Sequence, residues 1–162
     1  MKQRAARLGL FGALFATVVF VDQLTKWAAR SFLPDDSSVA FVPGLLDLHL
    51  VYNKGAAFSL GVGWTWLFVV VAAVLCIGCA FVVARFEVSG LAAALLGIAA
   101  GGGVGNLIDR VCSGCVTDFL MTTFVKFPVF NVADVCITCA FVALFVLYWL
   151  HESSHREADA HE

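Results

Sequence analysis

The sequence carries little charge and little proline for its 162 residues. Charged residues make up 14% of the chain, whereas soluble domains hold about 25%. Ten Lys and Arg residues stand against twelve Asp and Glu residues, which leaves a net charge of -2. Because no basic excess is available to hold a phosphate backbone, we expect no nucleic-acid partner. Three prolines and the lack of a low-complexity tract also exclude a disordered or fibrous chain.

Apolar residues account for 61% of the chain, against about 45–50% in an average soluble domain. A helix needs about 20 mostly apolar residues to cross the hydrocarbon core of a bilayer. Four windows meet this requirement: residues 8–29, 64–84, 90–108 and 130–150. The first window has the length of a signal-peptide core, but three later windows favour an uncleaved helix. We therefore expect an all-α polytopic membrane protein with four transmembrane helices, in which residues 1–162 form a single domain.

Basic residues predict which end of the helices faces the cytoplasm, because short cytoplasmic loops are enriched in Lys and Arg. They precede the first window and enter the turn after the second: Lys2, Arg4, Arg7 and Arg85. Both termini are therefore expected to be cytoplasmic, with residues 31–63 and 109–129 outside. Within these segments Leu46–Leu50 alternates apolar and polar residues with period two, and Val116–Met121 is a second candidate strand.

Two charged residues lie inside the first window, where insertion of a charge costs at least about 2.5–3.5 kcal/mol. Asp22 and Lys26 are four residues apart, so they lie on one face of a helix. The structural interpretations are an ion pair between them or a lysine that extends to the interface.

A denser group of polar residues lies near the outer ends of the third and fourth windows. Its members are Asn106, Asp109, Arg110, Asp118, Asn131 and Asp134. If the two helices are neighbours, three carboxylates and two amides converge. Two carboxylates within hydrogen-bond reach cannot both ionise, so one keeps a proton while the other acts as a base toward water, as in aspartic proteases. Arg110 can neutralise the third carboxylate, and the spacing leaves open which two are catalytic.

The first outer segment contains Asn-Lys-Gly-Ala-Ala-Phe at residues 53–58. Gly55 can adopt positive φ, and the alanines permit close approach of another backbone. This segment is suited to line an extended peptide or a lipid, and it is equally typical of a plain turn.

Five blocks, taken together, resemble the lipoprotein signal peptidase family, which is bacterial signal peptidase II. They are Asp22–Lys26, Asn53–Phe58, Gly102–Arg110, Val116–Phe119 and Phe127–Asp134. Each block alone is weak, but five in order on a four-helix chain of this length are highly specific. The resemblance implies four transmembrane helices with a small extracytoplasmic β-rich platform. It also implies the bacterial cytoplasmic (inner) membrane, with the active site near its extracytoplasmic face.

The resemblance implies a membrane-embedded aspartyl endopeptidase that removes the signal peptide from diacylglyceryl-modified prolipoproteins, cutting before the lipidated cysteine. By the matching motifs, Asp118 and Asp134 form the catalytic dyad. Residues that bind substrate or support the dyad are then Asn53, Gly55, Asn106, Asp109, Arg110 and Asn131. Asp22 and Lys26 take a structural or supporting role. The implied partners are prolipoprotein substrates, membrane lipids and a cyclic peptide inhibitor such as globomycin, with neither a cofactor nor a metal.

Six cysteines form three Cys-x-x-Cys pairs, the main argument for a different function. The pairs are Cys76/Cys79, Cys112/Cys115 and Cys136/Cys139. The first lies about 18 Å along the second helix, too deep to share a four-thiolate site with the second. The third is predicted to face away from Asp134, so these four cysteines are expected to be packing residues. We expect a local disulfide between Cys112 and Cys115 in the outer loop.

The alternative functions are a small ion-coupled transporter and a membrane thiol-redox protein. A transporter is expected to place its ionisable groups near the bilayer midplane. In this sequence the charged residues inside the windows lie toward the outer ends. The position of the charges therefore favours the peptidase.

Overall fold

The computed structural model describes residues 2–34, 37–55 and 64–159. Four long helices occupy most of the chain: α1 (Lys2–Phe32), α2 (Thr65–Arg85), α3 (Gly90–Ser113) and α4 (Val132–Asp159). Three strands lie between them: β1 (Val39–Val42), β2 (Leu46–Asn53) and β3 (Val116–Thr122). Each helix contains a stretch apolar enough to cross a membrane. The four helices predicted from the sequence are confirmed, and the small β platform is a three-stranded sheet.

Capping residues set the ends of α3, so it extends beyond its predicted window. The hydroxyl of Ser89 accepts a hydrogen bond from the first turn, and Gly114 ends the helix in the left-handed conformation with φ of 73°. Asp109 and Arg110 therefore lie within α3, although the sequence placed the outer segment from residue 109 onward. The helix α4 is also longer than predicted, because it continues past residue 150 to Asp159.

The helix α3 lies at the centre of the bundle and contacts the other three helices. Its glycines permit this close packing. A Cβ atom on Gly97, Gly101 or Gly105 would lie 2.6, 2.8 or 2.5 Å from atoms of α1. These positions are four residues apart, so they form one face, while Gly102 lies against the Ala133 carbonyl of α4. Of the four apolar stretches, that of α3 is the most buried, as expected where small residues let membrane helices approach closely.

The sheet has the order β1-β2-β3, and both pairs are antiparallel. Asn53 is paired with Val116, and Val51 with Asp118, beyond an irregularity in β2 that follows Leu48. The strands predicted at residues 46–50 and 116–121 are confirmed, and β2 continues three residues further. The exposed four-residue strand β1 has no counterpart among the predicted elements.

An apolar cluster holds the sheet against one end of the bundle. Ala29 of α1, Leu50 of β2 and Phe119 of β3 form its buried centre. Phe130, just before α4, exchanges backbone hydrogen bonds with Leu120 of β3 at 2.8 and 3.0 Å. Since this bridge fixes the chain entering α4 beside β3, it brings the start of α4 next to the middle of the sheet.

The bundle therefore has two distinct ends. The sheet end contains the three strands, the ends of α1 and α3 and the starts of α2 and α4. The terminal end contains the start of α1 and the turn between α2 and α3. Arg7 Nη1 donates a hydrogen bond to the Val88 carbonyl at 3.0 Å, which joins these two segments.

The disulfide predicted between Cys112 and Cys115 is wrong, because all six cysteines are free thiols. The cause is the length of α3. Cys112 lies in the last turn of the helix and is exposed, whereas Cys115 follows the turn at Gly114. The Cys115 thiol lies 3.6 Å from the Ser113 carbonyl oxygen instead.

The sequence also suggests that residues 53–58 line an extended peptide or a lipid. Of these residues, Ala56, Ala57 and Phe58 lie outside the described part of the chain.

Candidate active site

Asp118 lies in the middle of β3 with 2% of its surface exposed. Asp118 projects from the same face of the sheet as Val116, because these residues are two positions apart along β3. Val116 is paired with Asn53 of β2. Asn53 Nδ2 donates to Oδ2 of Asp118 at 3.0 Å, and Asn131 Nδ2 donates to Oδ1 at 2.6 Å. Burial raises the pKa of Asp118 to about 6, with a contribution from the charge of Asp134, against the opposing effect of these amides.

Asp134 lies in the first turn of α4 and is fixed by the way in which that helix begins. Asp134 N donates to Asn131 Oδ1 at 3.0 Å, and Asn131 N donates back to Asp134 Oδ2 at 3.2 Å. This reciprocal arrangement is a capping box, which requires the two residues to be three apart. Oδ1 of Asp134 accepts a further hydrogen bond from Asn106 Nδ2 at 2.8 Å. The carboxylate is therefore held by both α3 and α4.

Asn131 joins the two carboxylates, because its side-chain amide binds Asp118 and its backbone N–H binds Asp134. It is fully buried, and its Nδ2 donates to Asp118 and, at 3.1 Å, to Asn106 Oδ1. Its Oδ1 accepts from the backbone of Asp134. We call Asn53, Asn106, Asp118, Asn131 and Asp134 the amide–carboxylate cluster. Among the described residues, neither carboxylate of this cluster has a cationic nitrogen within 4.0 Å.

A second buried cluster lies beside the first and contains a lysine. Lys26 Nζ lies 2.9 Å from Asp22 Oδ2 and 3.1 Å from Asp109 Oδ2, and all three residues are buried. We call them the ionic cluster. The predicted pairing of Asp22 with Lys26 is confirmed. Lys26 also donates to Asn106 Oδ1 at 2.8 Å, so it orients the amide that binds Asp134.

Asp22 and Asp109 also fix backbone around the site. Asp22 Oδ1 accepts from Ala133 N at 2.9 Å, in the first turn of α4. Asp109 Oδ2 accepts from Thr117 N at 3.0 Å, next to Asp118 on β3. The ionic cluster thus holds the two segments that carry the amide–carboxylate cluster.

Arg110 does not pair with Asp109, the carboxylate left over when Asp118 and Asp134 are taken as the dyad: among the described residues, no nitrogen of Arg110 lies within 4.0 Å of a carboxylate oxygen. Consecutive residues on a helix point about 100° apart, and Asp109 faces α1 while Arg110 faces α2. The guanidinium of Arg110 donates to the Gly55 carbonyl at 3.3 Å and lies 5.3 Å from the centre of the Phe68 ring. Of the predicted residues, Arg110 and Gly55 are therefore neighbours at the edge of the site.

Two cavities meet at the amide–carboxylate cluster. One, of about 480 Å³, is lined by Asp118 and Asp134 together with apolar residues of α4 and the preceding loop. The other, of about 920 Å³, runs along β2 and the 121–129 loop and also reaches Asp118. Cys139 lines the first cavity, contrary to the prediction that it faces away from Asp134. The arrangement places two carboxylates on a mostly apolar cavity at the end of a membrane bundle.

Three polar residues of the site were not predicted. Gln23 donates to Gly105 O and Asp109 Oδ1 at 3.0 and 3.3 Å, and Arg30 donates to Thr117 Oγ1 at 2.8 Å. Gln23 lies inside the Asp22–Lys26 block, so that motif could have identified it as a residue of the site. The role of Thr117 depends on the distance between β3 and α1, which no pattern in the sequence encodes.

The family model described as "Signal peptidase (SPase) II" matches residues 14–150 of the chain. The chain belongs to the signal peptidase II family. The matched region includes the whole of both clusters, and membership makes the protein a peptidase of a multi-pass membrane type. The family predicted from the five blocks is confirmed.

Relatives of this family resemble the chain over most of its length. The lipoprotein signal peptidase of Symbiobacterium thermophilum is 39% identical over 136 residues, which cover 82% of this chain and 90% of the relative. That of Parasynechococcus marenigrum is 41% identical over 159 residues, or 95% of each chain. A solved bacterial membrane enzyme, determined by the in meso method at 2.3 Å, has a TM-score of 0.82, 26% identity and 91% coverage of both chains.

Proposed function

We propose that this protein is an aspartyl endopeptidase that removes signal peptides from prolipoproteins, with Asp118 and Asp134 as its catalytic dyad. The observation that carries the proposal is the amide–carboxylate cluster. Two carboxylates are both bound by Asn131, Asp118 through its side-chain amide and Asp134 through its backbone N–H, and both line one cavity without a cation in contact among the described residues. Family membership and the lipoprotein signal peptidases among the relatives supply the substrate class.

The mechanism follows from the environment of the carboxylates. Burial raises the pKa of Asp118 to about 6, so we assign it the role of the protonated member. Asp134 then acts as general base toward a water in the cavity, and that water attacks the scissile carbonyl carbon. Protonated Asp118 hydrogen-bonds the carbonyl oxygen, and the proton that Asp134 has taken is passed to the leaving amine.

The cavities suggest how the substrate lies. The cavity of about 480 Å³ has apolar walls from α4, including Val135, and suits the diacylglyceryl group of the lipidated cysteine. The longer groove beside β2 suits an extended peptide, with its scissile bond at Asp118. Cleavage before the lipidated cysteine would follow from this placement, and a cyclic peptide such as globomycin would compete for it.

The same proposal includes the orientation in the membrane. Basic residues at the terminal end favour a cytoplasmic location for that end, and the sheet end with the dyad would then lie at the extracytoplasmic face of the bacterial inner membrane. Lys2, Arg4, Arg7 and Arg85 all lie at the terminal end. A substrate whose acyl chains lie in the outer leaflet would then meet the dyad at the interface.

The test compares Asp118→Asn and Asp134→Asn with wild type, using a gel-shift assay on purified enzyme and a diacylglyceryl-modified prolipoprotein. Each variant should lose at least about 10³-fold in kcat, because each removes a group that transfers a proton. The matched control is Asp47→Asn, on β2 but outside the cluster, which should keep wild-type activity. The unlipidated precursor should not be cut, and EDTA should not alter the rate.

Thermal unfolding of each variant shows whether the protein is folded. Cleavage near the wild-type rate by a folded Asp118→Asn or Asp134→Asn protein would remove that residue from the dyad. Loss of activity in Cys112→Ser, with Asp118→Asn still active, would point to thiol chemistry instead.

A further inference from the structure

A groove of about 750 Å³ lies at the terminal end, between the start of α1 and the end of α2. Its charged lining residues are Lys2, Arg4, Arg7, Arg85 and Glu87. Four cations therefore surround one groove with a single carboxylate. Among the described residues, none of these four cations has a carboxylate oxygen within 4.0 Å. The groove is distinct from both cavities at the sheet end.

Arg7 gives this groove a specific polar feature. Its Nη1 is used by the Val88 carbonyl, whereas its Nε is buried and, within the described part of the chain, has no hydrogen-bond partner. A buried donor without a partner is uncommon and indicates an additional acceptor, such as a water or an ion. The Nε and Nη2 hydrogens of arginine form a fork that matches two oxygens of a phosphate. The bond to Val88 occupies Nη1 and leaves Nε without a partner within the described part of the chain, on a residue that lines the groove.

The second arginine is also positioned. Arg85 lies in the last turn of α2, and its guanidinium lies 5.8 Å from the centre of the Phe81 ring on the same helix. Stacking on an aromatic face orients the planar group while leaving its hydrogens free to bind. Arg7 and Arg85 thus approach the groove from different helices.

The depth of the groove matches that of lipid headgroups. The apolar stretch of α2 ends at Arg85, and that of α1 begins just after Arg7. Next to the groove, the membrane-spanning side of α2 exposes Val74, Ile77 and Phe81. Basic pockets between transmembrane helices bind anionic headgroups, and each cation near the surface adds to the attraction.

We propose that this groove binds the headgroup phosphate of an anionic phospholipid, with the acyl chains lying along α2. The net positive lining selects lipids whose headgroup retains a negative charge. A zwitterionic lipid presents the same phosphate, but its headgroup cation is repelled by Lys2 and Arg4. The binding site is independent of the dyad and of the proposed peptidase mechanism.

The experiment measures lipid binding to the purified, delipidated full-length protein by native mass spectrometry, with titration of phosphatidylglycerol, phosphatidylcholine and inorganic phosphate. Wild type should bind phosphatidylglycerol more tightly than phosphatidylcholine, by on the order of tenfold. The variant Arg4→Gln/Arg85→Gln should lose this preference. Both residues are exposed, and the Arg7–Val88 bond is kept, so the variant should fold.

The control Lys54→Gln/Lys126→Gln removes the same charge at the sheet end and should retain the preference. Arg7→Lys, which keeps the charge but lacks the fork, should weaken phosphatidylglycerol binding by an intermediate factor. Equal binding of the two lipids by wild type would overturn the proposal. So would equal losses in the two double variants, or inorganic phosphate that competes with phosphatidylglycerol at the same concentration.

Discussion

The two buried clusters at the sheet end differ in the groups that bind their carboxylates. In the ionic cluster, Asp22 and Asp109 contact the Lys26 ammonium at 2.9 and 3.1 Å. In the amide–carboxylate cluster, Asp118 and Asp134 accept hydrogen bonds from neutral amides and backbone N–H groups. A cation in contact favours the ionised form of a carboxylate, whereas neutral donors provide no compensating charge. The first arrangement suits structure, and the second suits acid–base chemistry.

Asn106 is the point where the clusters meet. Its oxygen accepts from Lys26 and Asn131, which leaves its amide hydrogens directed at Asp134. An amide with two donors on its oxygen cannot flip without breaking both bonds. The ionic cluster therefore contributes to the fold and also fixes one donor to the proposed dyad.

The largest effect on stability is expected from Lys26→Met. This substitution removes the cation from two buried carboxylates, and Asp22 then has no ionic partner left among the described residues. Breaking a buried ion pair costs about 3–5 kcal/mol. The exposed Lys126→Met is the matched control and should lie within about 0.5 kcal/mol of wild type. Thermal unfolding in detergent measures both. If Lys26→Met unfolds at the wild-type temperature, the ionic cluster does not stabilise the fold.

The next effect is the pH dependence of stability that Asp118 contributes. Its pKa is raised from 3.8 to about 6, so the folded protein binds the proton more tightly than the unfolded chain. The resulting stability is fully present below about pH 4 and is lost as the pH rises through about 6, by on the order of 3 kcal/mol. Asp118→Asn should remove this slope.

The measurement is the free energy of unfolding between pH 4 and pH 8 for wild type, Asp118→Asn and the control Asp47→Asn. As the pH rises from 4 through about 6, the free energy of unfolding of wild type and of Asp47→Asn should fall. That of Asp118→Asn should fall less. Parallel curves for wild type and Asp118→Asn would mean that Asp118 is not held in an environment that favours its neutral form.

Local spacing was sufficient to predict part of the site, and tertiary packing determined the rest. Asn131 and Asp134 are three residues apart, which is the spacing that a capping box requires. Period-two alternation predicted β2 and β3. The contact of Asn53 with Asp118 depends on the register of those strands, including the irregularity after Leu48, which no pattern predicts.

The partner of Asp109 is a second feature that sequence spacing does not predict. Arg110 is its neighbour in sequence, but Lys26 is its neighbour in space, 3.1 Å away on α1. The relevant signal was the glycine spacing of α3, because those glycines allow α1 to approach closely enough for the pair to form. The spacing of these glycines does not by itself identify which charges they bring together.

Gly105→Ala tests the close packing of α1 against α3, and it should lower the free energy of unfolding by less than Lys26→Met does. The new Cβ would lie 2.5 Å from Asp22 Oδ2, a fully buried atom that also contacts Lys26. Forcing an extra methyl into packed structure costs about 1–3 kcal/mol. Gly78→Ala on α2 is the control, since its Cβ would meet nothing within 4 Å. A Gly105→Ala protein as stable as Gly78→Ala would show that α1 and α3 separate easily at this level.

Arg30→Gln should have the smallest effect, although Arg30 also faces Asp109. Its Nη1 lies 3.7 Å from Asp109 Oδ1, and its side chain is 35% exposed. Water and salt screen such a pair, so its loss should cost less than about 1 kcal/mol. Asp109 still keeps Lys26 and the backbone of Thr117. Unfolding at low and high salt measures the difference, which should shrink at high salt. A cost equal to that of Lys26→Met would show that charge count, rather than burial, sets the strength of the ionic cluster.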